Sequence, residues 1–226
     1  TKDRISLTKE LRADDEWCAE NYLVANYDNI DFEIFKKHTQ RYLAYRLLND
    51  LLNLQFHNNS KIETSNGLVQ LDSLFFVHNG LASSEVEVKD EPEFDTDIRY
   101  IRPSKSYAGS IAGYVDSSQV EDKYIYPDNT IYVSTDGQGS HSYSYVSSFE
   151  FIPNSNVSVL IPKKEMTLQE KIYYAICVTS NRFKFSYGRK PKGDRLKDIM
   201  IPACPPPFVY QDIFEEIFDN WKKVVK

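Results

Sequence analysis

The strongest constraint on this chain is a change of apolar period near residue 67. Before it, hydrophobic residues recur at helical spacing. After it, short apolar runs rich in Val, Ile, Tyr and Phe are separated by turns of Ser, Gly, Asn and Asp. Such a pattern predicts an α/β (α+β) fold, with an irregular mixed β-sheet or barrel-like core, one packed helix, N-terminal helices and a C-terminal helix.

Taken in order, residues 1–66 read as helical. A first helix is expected over 14–26, with Asp14, Asp15 and Glu16 in the first turn, where they suit the helix dipole. Asp31 can cap a second helix reaching about Gln55, whose Phe32, Phe35, Tyr42, Leu43, Leu47, Leu51 and Leu54 share a face. Residues 57–67 are a loop by composition and mark a boundary. Strands are expected at 68–78, 98–102, 111–115, 124–126, 130–133, 143–151 and 157–161, with SKSYAGS (104–110) as a turn. Thr167 caps a helix over 166–180 lined by Leu168, Ile172, Ala175, Ile176 and Thr179. A helical turn at 194–198, a strand at 199–203 and the prolines 205–207 close the domain. Residues 209–226 read as an amphipathic helix carrying Ile213, Phe214, Ile217, Trp221 and Val224. The division is therefore 1–66 helical, 67–208 the principal domain, and 209–226 a terminal helix.

Charge is unevenly placed. The net charge of −6 argues against a nonspecific nucleic-acid binder. Yet residues 182–197 carry Arg182, Lys184, Arg189, Lys190, Lys192, Arg195 and Lys197 against Asp194 alone, interleaved with Phe183, Phe185 and Tyr187. Phe183 and Phe185, alternating with Arg182 and Lys184, suit a strand with one buried face. Residues 85–97 hold Glu85, Glu87, Asp90, Glu91, Glu93, Asp95 and Asp97 against Lys89. Three separated cysteines (Cys18, Cys177, Cys204), without a CxxC, imply neither a disulfide framework nor a zinc site and fit a reducing compartment. With no signal peptide and no spanning apolar run, the expected location is the cytoplasm.

Most chemical motifs fail on inspection. DGQGS (136–140) lacks the third glycine of a dinucleotide loop and the GK[ST] of a P-loop. Pro206-Pro207-Phe208 matches the end of an adenine-N6 methyltransferase motif, but Pro205 stands where a polar residue is needed. Asp72 with Glu87 and Lys89 has roughly the spacing of a Mg²⁺-dependent nuclease, which makes that chemistry the alternative reading. The histidines 38, 57, 78 and 141 show no HxxxH or HExxH, so no metal site is expected. No catalytic residue is assigned. A non-catalytic protein-interaction module, working through the terminal helices, is the third reading.

Two pieces carry the functional signal. In DNTIYVSTDGQGSHS (128–142) a β run enters a turn of glycines and small polar residues suited to presenting hydrogen-bonding groups. In RFKFSYGRKPKGDRLK (182–197) bases supply phosphate contacts, and an Arg fork can read guanine. With IRYIRPSKSYAGSIAGYVD (98–116), NVSVLIPKK (156–164) and the following helix, their order resembles a target recognition domain of restriction–modification specificity subunits. Such domains occur in type I specificity subunits and in fused type IIG and IIB enzymes.

The resemblance covers about residues 68–208. It implies an α/β module seated in the major groove of double-stranded DNA, without chemistry of its own. An adenine methyltransferase subunit or domain using S-adenosylmethionine, and in some systems a nuclease, would act at the site it selects. By position, the DNA-binding candidates are Lys105, Ser106 and Tyr107 in a first loop; Asp136, Gln138, Ser140 and His141 in a second; and Lys184, Tyr187, Arg189, Lys190, Lys192 and Arg195 in a third. A type I subunit carries two such domains, and this chain has room for one. A homodimer, or a piece of a fused enzyme, would account for that.

Overall fold

The computed structural model describes residues 18–46, 67–137, 139–211, 213 and 217. Their order is α1 (Phe32–Leu43), β1 (Leu68–Gln70), the single turn α2 (Leu71–Leu74), β2 (Phe75–Asn79), β3 (Asp97–Ile101), β4 (Ile111–Asp116), β5 (Ile131–Ser134), β6 (Ser144–Val146), β7 (Phe151–Pro153), β8 (Val157–Pro162), α3 (Leu168–Ser180), α4 (Asp194–Lys197) and β9 (Met200–Pro202). The fold is α+β with mixed sheets, as its pattern of runs and turns implies.

The central sheet is antiparallel, in the order β2-β8-β5-β6. Both faces are covered at β5 and β6, whose residues are all buried, while the edge strand β2 leaves Phe76 exposed. Side chains alternate across a strand. Ile131 and Val133 of β5 and Leu160 of β8 therefore join α1 and α3 in one core, while Tyr132, Val157 and Val159 face the other way. The second face packs on a three-stranded sheet, β4-β3-β7, in which β3 and β4 are antiparallel and β3 and β7 parallel. Between the sheets lies an aromatic layer of Tyr107, Tyr126, Tyr132, Tyr145, Phe149 and Phe151. The outer face of the second sheet buries Tyr100, Val115 and Ile152 under Leu81 and Val120. A β1–β9 ribbon brings the end of the domain back to its start.

Helix α3 organises the first core. Thr167 Oγ1 accepts from Glu170 N, and Glu170 Oε2 accepts from Thr167 N, a reciprocal capping box. The helix is buried around most of its circumference, including Tyr173, Tyr174, Cys177 and Val178 beyond the expected face. It packs on β5, β6, α1 and β9.

Several sequence expectations are corrected. Of the helix expected over 14–26, residues 14–17 lie outside the described residues. The rest holds only a 3-10 turn, Ala19–Tyr22, with Leu23 already extended. Asn26 caps the next 3-10 turn by accepting from Asp28 N, a local bond that competes with a helix. Asp31 does cap α1, accepting from Ile34 N at 2.9 Å, but the helix stops at Leu43. Arg46 then turns aside to pair with Asp128 at 2.5 Å. The extension to Gln55 and the 57–66 loop lie outside the described residues. The 68–78 run is broken by α2, and 143–151 by a Ser147–Phe149 turn. Residues 124–126 give a 3-10 turn and one bridge, Tyr126–Phe151. Of the C-terminal helix, Ile213 and Ile217 are helical and buried.

Candidate DNA-reading surface

Three loops chosen from the sequence meet in space. The first, between β3 and β4, folds on its own serines: Ser104 Oγ accepts from Ser106 N, and Ser106 Oγ accepts from Gly109 N, each at 3.1 Å. Ser104 N donates to Ser134 Oγ at 3.1 Å, which ties this loop to the end of β5. Lys105 and Ser106 are exposed. Tyr107 is not, and its place among the DNA-binding candidates is corrected. Its ring lies in the aromatic layer, and its hydroxyl is bonded to Ser148 Oγ at 2.7 Å and Ser148 N at 2.6 Å.

The second loop is fastened to α3. Ser142 Oγ donates to Val178 O at 2.8 Å, and Ser144 N donates to Thr179 Oγ1 at 3.0 Å. Gly137 has φ +90, and an added Cβ would meet Ser140 Oγ at 2.4 Å, so glycine is required there. Ser140 is buried and donates to Asp136 O at 2.7 Å, which makes it a loop brace rather than a presented group. His141 is also buried. Its Nε2 has no hydrogen-bond partner among the described residues. Burial pulls the imidazole pKa below its ordinary value; Asp136 opposes this, and Lys190 and Arg182 add to it. Gln138 lies outside the described residues.

The third loop closes on the second. Arg182 donates from Nε to His141 O and from Nη2 to Gly139 O, both at 3.3 Å, with its guanidinium 3.9 Å from the Tyr143 ring centre. Lys190 Nζ pairs with Asp136 Oδ2 at 2.5 Å and holds that carboxyl below its usual range. Lys105 approaches from the first loop so closely that a Cβ on Gly139 would meet its Nζ at 2.8 Å. Lys192 Nζ donates to Ser155 O at 3.1 Å, beside Asn156, whose carbonyl accepts from Thr135 N. Arg189 donates to Cys18 Sγ, and Cys18 donates to Glu20 Oε2. Arg195 is exposed on α4, which packs against α2 instead.

Two expectations fail in this segment. Residues Arg182–Lys184 form a 3-10 turn, not a strand. With about three residues per turn, Phe183 and Phe185 cannot share a face. Phe183 points outward, Phe185 packs on the core, and Lys184 is buried, with its ammonium pKa lowered by desolvation. Lys184 is therefore withdrawn as a DNA contact. What alternation missed is Arg182, the clamp joining loops two and three; its position at the end of α3, in a basic run, was the available signal. Beyond it, Ser186 and Arg189 exchange backbone hydrogen bonds of 3.1 and 2.9 Å around Tyr187 and Gly188. Gly188, at φ +87, occupies the place in a tight turn that calls for positive φ. Tyr187 stands at the tip, 93% exposed.

The nuclease arrangement does not assemble. Lys89 pairs with Glu93 and Asp97 at 3.1 and 3.2 Å, whereas Asp72 lies near Asp198 and raises its pKa, after burial and Asp194. Among the described residues no group of three or more His, Cys, Asp or Glu could hold a metal ion, and no helix is long and apolar enough to cross a membrane. A concavity of about 710 Å³, lined by Tyr27, Tyr173, Pro202, Pro205 and Phe208, lies away from the three loops.

A profile of the type I restriction modification DNA specificity domain matches residues 64–220. No curated protein sequence matches. Among solved structures, the S subunit of a type I restriction–modification system from M. genitalium is 16% identical, with a TM-score of 0.48; the match covers 88% of this chain and 52% of that one. The HsdS subunit from Thermoanaerobacter tengcongensis is 11% identical, TM-score 0.47, covering 88% and 48%. A chain from a structure describing assembly and conformational transition of the type I R-M system is 11% identical, TM-score 0.48, with the same coverage. This chain spans about half the length of these relatives.

Proposed function

Because this chain belongs to the type I restriction–modification DNA specificity domain family, we propose that it reads one part of a DNA site in the major groove and directs an adenine methyltransferase to it. The carrying observation is the convergence of three loops: Lys105 lies against Gly139, Arg182 clamps Gly139 and His141, and Lys190 pairs with Asp136. Exposed cations anchor phosphates and fix register. Exposed polar groups beside them read base edges.

The methyltransferase, a separate subunit or a fused domain, supplies S-adenosylmethionine and takes the target adenine out of the stack. A restriction subunit can join the same assembly, in the cytoplasm. One recognition unit reads one half of a split site, and a second copy of this chain completes it.

The test is duplex binding titrated against salt. Lys105→Ala with Lys192→Ala removes two exposed cations without touching the side chains that brace the loops. The logarithmic salt slope should fall by about 2, since each phosphate contact contributes about 0.9. An unchanged slope would refute the anchoring role.

A further inference from the structure

Tyr187 and the concavity beside it do more than a phosphate-binding loop requires. A loop that only touches backbone phosphates needs cations and amides. Here the most exposed large apolar side chain of the described residues is held at the tip of a two-residue turn locked by reciprocal backbone bonds. Beside it is a hollow of about 190 Å³, lined by Gly139, His141, Arg182, Phe185, Ser186 and Tyr187. Its chemistry is mixed: two aromatic rings, a guanidinium held over the Tyr143 ring, a hydroxyl and a buried imidazole.

Resting on the DNA-reading proposal above, we infer that this hollow is a nucleobase pocket. It takes one base displaced from the duplex stack, with Tyr187 as the stacking platform at its rim. Each part answers a requirement of that ligand. A displaced base loses its stacking partners, and an exposed ring on a stiff turn replaces them with little ordering cost. Arg182, fixed by two carbonyls, has N–H groups left over for the sugar–phosphate chain that must bend to deliver the base. Asp136, whose charge acts on His141, is paired with Lys190, which lessens its repulsion of that chain.

The experiment uses the full chain and three short duplexes at low salt: one fully paired, one with a single unpaired adenine, and one with a single unpaired abasic residue. The unpaired adenine should bind about ten-fold more tightly than the abasic residue. Tyr187→Ala should abolish that preference and Tyr187→Trp retain it. Tyr187 is exposed, so neither change threatens folding. Equal binding of the adenine and abasic bulges, both above the paired duplex, would mean the hollow holds backbone phosphate and would overturn the nucleobase assignment. Equal binding of all three would overturn the pocket while leaving duplex reading intact. Binding of none would overturn the DNA-reading proposal itself.

Discussion

Lys190 Nζ and Asp136 Oδ2 meet at 2.5 Å and join two loops that are 54 residues apart in sequence. The pair places a carboxylate on a surface otherwise furnished with cations. Both side chains are partly exposed, so its stabilising effect is small, about 0–1 kcal/mol. Its role in this account is selectivity. Asp136→Asn should leave thermal stability nearly unchanged while freeing Lys190. Affinity for random duplex should rise, and the salt slope should steepen by about 1. Titrating fluorescent duplex at several salt concentrations measures both.

Gly137 and Gly139 both have positive φ, +90 and +75, but they differ in what surrounds them. A Cβ on Gly137 meets a serine hydroxyl braced within the same loop. On Gly139 it meets the flexible end of Lys105. Each Ala substitution carries a left-handed backbone cost of about 1–2 kcal/mol. Gly137→Ala should therefore destabilise more than Gly139→Ala, whose main effect should be to push Lys105 aside and weaken DNA binding. Urea unfolding beside binding measurements separates the two.

Tyr107 offers a clean separation of scaffold from surface. Tyr107→Phe keeps the ring in the aromatic layer but strips Ser148 N and Oγ of their partner. A buried group left unsatisfied costs about 1–3 kcal/mol. Unfolding free energy should fall by that amount, with duplex affinity of the folded protein unchanged. A selective loss of DNA binding would return Tyr107 to the reading surface.

His38 predicts an acid-side loss of stability. Burial, with Arg41 and Lys37 adding positive charge, lowers its pKa to about 4. The unfolded chain takes up the proton near the ordinary value of about 6.5, before the folded chain does. Stability is therefore unaffected above that value and falls as pH drops from about 6.5 to about 4, by at most about 3.4 kcal/mol at 1.36 kcal/mol per unit. Denaturant unfolding across this window should show a slope that His38→Gln reduces.

Much of this layout was legible in the chain because it depends on local chemistry. Thr167 and Glu170 stand at capping-box spacing, Asp31 precedes an amphipathic run, and Ile131, Tyr132 and Val133 spell a strand buried on both faces. The three loops were legible for the same reason: glycines and small polar residues mark them. What failed depends on long-range contact. Tyr107 and Lys184 look like surface residues in a list of types, yet the aromatic layer claims one and the turn at the end of α3 buries the other. Arg182 works through carbonyls about forty residues earlier, a pairing that periodicity does not carry.

The most direct test of sequence-specific reading is a binding selection. The chain is mixed with a random duplex library at low salt, and the bound DNA is recovered and sequenced, with and without an adenine methyltransferase subunit of a type I system. Enrichment of one short motif is expected, lost in a variant carrying Lys105→Ala, Tyr187→Ala and Lys192→Ala. Recovery of DNA with no enriched motif in either condition would contradict it.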